Sequence, residues 1–327
     1  MENANRSVES YIQIYSQLRD RYRWKVTDQS VLMMVASLYI SNNRSFDIDR
    51  FTELADYIKS ESGLFSPLRS ESRFTFAAML DTKFDDPKEK FPAFIAAYQA
   101  LVSAGFSKNT FTYISAMLLV TANTENLKPL SERARVVYKK MREEHLFLTG
   151  HSDYPLAVML ALNDRQTDEV IFHIEDLYSK LSQNGFRKGN ELQSMSHILS
   201  LNEKNHADDM VARSTEIYDR MGKEGIKVKT KFYPQVALLT FLENEYDNLL
   251  EIKEVWEHLN AEKLFKWKKD INFMMAVNFV ISDKIDQSSL LQTNLSTTIE
   301  TLIQAQQAAS IAAISGAAVA ASSNGGE

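Results

Sequence analysis

An aromatic residue returns along this chain about every 40 residues: Tyr15, Tyr57, Tyr98, Tyr138, Tyr178, Tyr218 and Trp256. Three of the phrases it opens are Y-Q-A-L-V-S-A-G-F from Tyr98, Y-S-K-L-S-Q-N-G-F from Tyr178 and Y-D-R-M-G-K-E-G-I from Tyr218. They share an apolar residue three positions on, Gly seven on and an apolar residue eight on. Self-similarity at a period of this size marks a repeat architecture, in which one supersecondary unit stacks on copies of itself. The match is closest mid-chain. A shift of 80 residues carries Ala77–Leu80 onto Ala157–Leu160, Gly105 onto Gly185, Lys108 onto Lys188, Arg133 onto Arg213 and Met141 onto Met221 without a gap.

One unit reads as two helices. Phe91, Phe94, Ile95, Tyr98, Leu101 and Val102 recur at three- and four-residue spacing, which places them on one helical face. Gly105 has the position of a left-handed cap, with Phe106 set to fold back on the last turn. After polar Ser107 and Asn109, a second helix carries Tyr113, Met117 and Val120 as a stripe. Neither helix buries its stripe alone, so neighbouring hairpins must stack. The expected fold is an all-α, right-handed α-solenoid of about seven degenerate hairpins, occupying residues 1–283 and beginning near residue 7. Composition agrees: 44% hydrophobic residues with only 10 Gly and 6 Pro leave little room for the turns of a sheet protein. Residues 8–41 lack the Gly and residues 249–282 replace the Tyr and Gly with Trp256 and Lys263, as terminal capping repeats do. Residues 284–304 read as an additional amphipathic helix with Leu290, Leu291, Leu295, Ile299, Leu302 and Ile303 on one face. Residues 305–327, rich in Ala, Ser and Gln, offer nothing large to bury and read as a flexible tail. The anchors themselves read as core fillers, buried in every unit.

The Gly-Phe and Gly-Ile phrases resemble tetratricopeptide and pentatricopeptide repeats, helical hairpins of a shorter period. The polar residues that a pentatricopeptide RNA code needs are not kept, since the aligned positions read Ile114, Tyr154, Ser194 and Pro234. A closer resemblance rests on L-T-G-H-S-D-Y-P-L-A, from Leu148 to Ala157. On this phrase the chain resembles an uncharacterised bacterial helical protein family of similar length. The resemblance implies a helical fold over all but the tail, and no activity or site residue.

The same phrase holds the densest group of titratable residues, His145, His151 and Asp153. It reads as a helix start, with Ser152 or Asp153 as cap and Pro155 in the first turn. No histidine pairs with another at metal spacing, and no phosphate-binding loop or nucleophile elbow is found, so no catalytic residue, metal or cofactor is expected. A metal-dependent enzyme around His151 and Asp153 is an alternative. Zero cysteines remove disulfides, thiolate ligands and a Cys nucleophile, and suit a reducing cytoplasm. The polar start has no secretory h-region and no apolar run reaches 18 residues, so a cytoplasmic location is expected.

Charge carries more. In register, turns inside hairpins fall on one edge of an array and loops between hairpins on the other. The net charge is −6, yet the within-hairpin turns are net basic and the between-hairpin loops net acidic. Helix dipoles cannot cause this, because each edge receives both helix C-termini and N-termini. The basic turns of the end units name the candidate binding residues: Arg21, Arg23, Trp24 and Lys25; Lys227, Lys229 and Lys231; Lys266, Trp267 and Lys268. The leading expectation is a non-enzymatic scaffold binding a protein or peptide, with edge-to-edge self-association as a further option. The alternative is an RNA or anionic-lipid binder using the same basic-aromatic turns.

Overall fold

The computed structural model describes residues 2–323 except 65, 125, 164, 203–205, 228, 243–244 and 288–292. Among the described residues there is no strand. The α-helices are α1 (Glu2–Tyr22), α2 (Ser30–Ser41), α3 (Ile48–Glu61), α4 (Ser72–Lys83), α5 (Pro87–Ser103), α6 (Thr110–Thr121), α7 (Leu127–Glu144) and α8 (Tyr154–Ala161). They continue as α9 (Thr167–Gln183), α10 (Asn190–Leu199), α11 (Ala207–Lys223), α12 (Tyr233–Leu239), α13 (Glu245–Ala261), α14 (Lys269–Gln287) and α15 (Thr293–Ser323). The all-α expectation holds.

The chain forms two compact units where the sequence suggested one continuous repeat domain over 1–283. One unit is Lys128–Ile299; the other is Glu2–Leu127 with the chain from Glu300 onward. In the first, α9, α11 and α13 pack in series, and α8, α10, α12 and α14 form a second series beside them. In the second, α1 pairs with α2, α3 with α4 and α5 with α6, while α2, α4 and α6 pack in series.

Local chemistry sets the hairpins. At the end of α5, Gly105 takes φ +100°, its N–H donates to the Val102 carbonyl at 3.0 Å, and the Phe106 N–H donates to the Leu101 carbonyl at 3.1 Å. This is the paired-bond glycine cap, and buried Phe106 supplies its apolar contact. Gly185 and Gly225 repeat it with φ +95° and +77°. Asn109 then caps α6 by accepting the Thr112 N–H at 3.0 Å.

The two helices of a hairpin differ in kind. First helices are long and amphipathic, whereas α8 and α12 have 8 and 7 residues and α8 is buried on every side. Sequences such as Y-P-L-A-V-M-L-A are apolar all round, the pattern of an interior helix. The stripe read on the second helix of the 87–123 hairpin is therefore only part of its buried surface: Thr112 through Leu119 are all buried.

The anchors divide. Tyr15, Tyr138 and Tyr178 are buried, but Tyr57, Tyr98, Tyr218 and Trp256 are half-buried, which corrects their reading as core residues throughout. Several clamp the hairpin from its side: Tyr98 stacks on Tyr113 at 3.8 Å, Tyr138 meets Tyr154 edge-on at 4.8 Å, and Trp256 meets Phe273 at 5.9 Å. The aligned Arg133 and Arg213 also gain a role. Arg133 reaches the Asn163 and Arg165 carbonyls and Arg213 the Leu242 carbonyl, so each cation satisfies acceptors just past the second helix of its own hairpin.

The tail is not loose where it is described. Helix α15 runs unbroken from Thr293 to Ser323, and Leu302, Ile303, Ala305, Ala308 and Ile311 are buried. Gln307 donates to Ser37 and Ser41 of α2 at 3.0 and 3.1 Å, Gln304 donates to Asn42, and Glu300 pairs with Lys83 of α4 at 3.3 Å. Small alanines allow close approach, and the glutamines satisfy hydroxyls of an otherwise apolar helix. Leu290 and Leu291, placed on the face of the expected extra helix, lie outside the described residues.

Candidate docking edge

Contacts from turn to turn fix the edge within each unit. In Lys128–Ile299, Gln193 of α10 donates to Thr149 of the α7–α8 turn at 2.7 Å. The Arg187 N–H in the α9–α10 turn donates to the Tyr233 hydroxyl at 3.0 Å. Lys229 in the α11–α12 turn pairs with Asp270 at the start of α14 at 2.6 Å, and Lys231 pairs with the same carboxylate. The four within-hairpin turns therefore follow one another along one edge. In the other unit, the Thr27 N–H donates to Glu71 at 2.8 Å, joining the α1–α2 turn to the α3–α4 turn.

These turns also collect apolar surface. Among the described residues, Trp24, Leu64, Leu146, Phe147, Leu264 and Trp267 are exposed large apolar side chains, and all stand on within-hairpin turns. Val136 and Phe172, the other two, stand on first helices, and none stands on a loop between hairpins. Phe147 is 95% exposed, Trp24 87% and Trp267 85%.

The candidate residues separate into two kinds. Arg21 is held by Asp49 at 3.0 Å, and Lys229 and Lys231 are held by Asp270, whose carboxyl burial pushes up but the two lysines together draw below its ordinary range. Arg23 lies 5.3 Å from the exposed Trp24 ring, Lys25 lies 5.5 Å from the Tyr22 ring, and Lys266 lies 5.1 Å from the Trp267 ring. Lys227 is exposed, and the Lys268 backbone N–H donates to the Phe265 carbonyl at 2.8 Å. Leu64, Leu146, Phe147 and Leu264 were missed by the charge count. The available signal was an apolar run inside a turn, L-F-L at Leu146–Leu148.

His151 and Asp153 are not brought together as ligands. Asp153 is buried and accepts the Gly150 N–H at 2.8 Å, closing the short 3-10 turn before α8, while exposed His151 lies 5.2 Å from the Tyr154 ring. Burial pushes the Asp153 carboxyl up to about 6, against the lowering effect of the Gly150 N–H. Among the described residues no group of three or more His, Cys, Asp or Glu could hold a metal ion. A second polar group lies beside the anchor Tyr178: His145 meets Glu175 at 3.1 Å and lies 4.5 Å from the Tyr178 ring, and buried His197 is pushed down to about 3 by desolvation and by His145. A shallow groove along α11, lined by Thr215, Glu216, Asp219 and Arg220, is one face of a single helix with its own Glu216–Arg220 pair at 2.5 Å. No helix of the described residues is long and apolar enough to cross a membrane.

Fold and edge together define an all-helical protein of stacked hairpins whose within-hairpin turns carry cations beside exposed aromatic rings. The chain belongs to the family described as Protein of unknown function (DUF4003), whose model matches residues 14–308. It is 39% identical over 315 residues to Uncharacterized protein YeaA of Bacillus subtilis (strain 168), a match covering 95% of this chain and 95% of that protein. No solved structure matches the chain.

Proposed function

We propose that the chain is a non-enzymatic helical-repeat scaffold and that the edge of within-hairpin turns is its docking face. The observation that carries this is that, among the described residues, six of the eight exposed large apolar side chains stand on those turns and none on a loop between hairpins. Exposed Phe and Trp cost hydration and gain nothing in the fold, so a surface that gathers them beside cations is suited to being covered. The reading includes a tetratricopeptide-like interaction role and a cytoplasmic location, supported by the 40-residue repeat and the cysteine-free sequence.

A photo-crosslinking amino acid at Phe147 or Trp267, in protein produced in Bacillus subtilis, tests the face directly. Adducts are expected from both positions and not from Phe172, which is as apolar and 76% exposed but lies on α9. Adducts from Phe172 alone, or from none of the three, would remove the docking edge.

A further inference from the structure

Resting on that docking edge, we infer that the edge of the Lys128–Ile299 unit seats on an anionic lipid bilayer. Its exposed apolar groups stand at two turn tips, Leu146 and Phe147 on the first turn and Leu264 and Trp267 on the last, with Phe147 95% and Trp267 85% exposed. A helix or peptide partner needs a groove with walls; a bilayer interface needs protruding rings. Tryptophan suits that interface because its ring is apolar while its N–H can bond to headgroups. Lys266, 5.1 Å from the Trp267 ring, sits at the level where the headgroup phosphates would be.

Charge points the same way. Arg187, Lys188, Lys227 and Lys263 lie between or beside the two apolar tips, are exposed, and have no carboxylate partner among the described residues. Two acidic groups of this edge are neutralised within the protein: Asp270 by Lys229 and Lys231, and Glu224 by Lys253 at 3.5 Å. The whole chain carries −6, so an anionic surface repels the molecule in general and attracts it by this edge. That difference orients as well as binds. The mostly lysine composition suits a diffuse field of phosphates, whereas base-specific reading of nucleic acid favours bidentate arginine.

Flotation of the full chain with vesicles containing phosphatidylglycerol, against vesicles of phosphatidylcholine alone, tests the inference at low and high salt. Binding is expected only to the anionic vesicles, weakening severalfold as salt rises. Phe147→Ser with Trp267→Ser, and separately Lys188→Glu with Lys227→Glu, should each weaken it by about tenfold or more. Phe172→Ser should leave it unchanged, and equal helix content by circular dichroism checks each fold. No flotation with anionic vesicles, equal flotation with both lipids, or turn variants that float like the parent would overturn the lipid assignment. If vesicles fail while Phe147 and Trp267 still crosslink to a protein or an RNA in cells, the docking edge stands and its partner is that macromolecule. If crosslinking fails as well, the edge itself is wrong.

Discussion

Asp153 faces two opposed demands. Its carboxylate accepts the Gly150 N–H that closes the turn into α8, yet burial disfavours the charged form and raises its pKa from 3.8 to about 6. A carboxyl raised in the fold gives stability that is complete below about pH 4 and is lost as pH climbs through about 6. A shift of this size corresponds to about 2–3 kcal/mol. Asp153→Asn keeps an acceptor for Gly150 and removes the charge, so the parent should lose about that much relative to the variant between pH 4 and pH 7. Parallel pH profiles of the denaturant midpoint for the two proteins would contradict this. The helix start with Pro155 in its first turn was legible, because such signals are local. Asp153 makes no side-chain cap bond to α8, however, and instead accepts the upstream Gly150 N–H. The pairing of Arg21 with Asp49 and of Lys229 with Asp270 was not legible, since those partners lie 28 and 41 residues away. A count of cations in a turn cannot tell which of them a distant carboxylate has taken.

Helix α15 shows where periodicity runs out. Its alanines give no stripe to read, and its partner surface on α2 lies more than 260 residues earlier, as in the Gln307–Ser37 bond. Burial is set by the small size of Ala and by glutamines matched to Ser37, Ser41 and Asn42, which a single segment does not reveal. By contrast the hairpins were legible, because a glycine in a left-handed turn and an apolar face at helical spacing are local signals. The half-burial of Tyr98 was hidden for the opposite reason: its stacking partner Tyr113 lies only 15 residues on, but belongs to the other helix. If α15 is part of the folded unit, Leu302→Ala, at a site 1% exposed, should cost about 2–4 kcal/mol in urea unfolding. A cost below about 0.5 kcal/mol, the scale of a surface substitution, would mean the helix is not docked.

At the scale of the molecule, a net charge of −6 conceals an uneven distribution. The charge sorting was visible in the sequence once the repeats were in register. The apolar sorting was not, because only the fold distinguishes an exposed Phe147 from a buried Phe106. The absence of any cysteine makes the docking edge accessible to a clean measurement, since every introduced thiol is the sole one in the chain. Single cysteines at Phe147, Lys188 and Trp267 report the within-hairpin turns, and single cysteines at Asp168 and Asp209, in the first turns of α9 and α11, report the opposite ends of the hairpins. Each is labelled with a maleimide in the purified protein and again in intact cells. Thiols at the turns should be labelled several-fold more slowly in cells than in purified protein, with those at Asp168 and Asp209 labelled alike in both. Equal protection of both edges, or protection confined to Asp168 and Asp209, would contradict the assignment of the turn edge as the docking face.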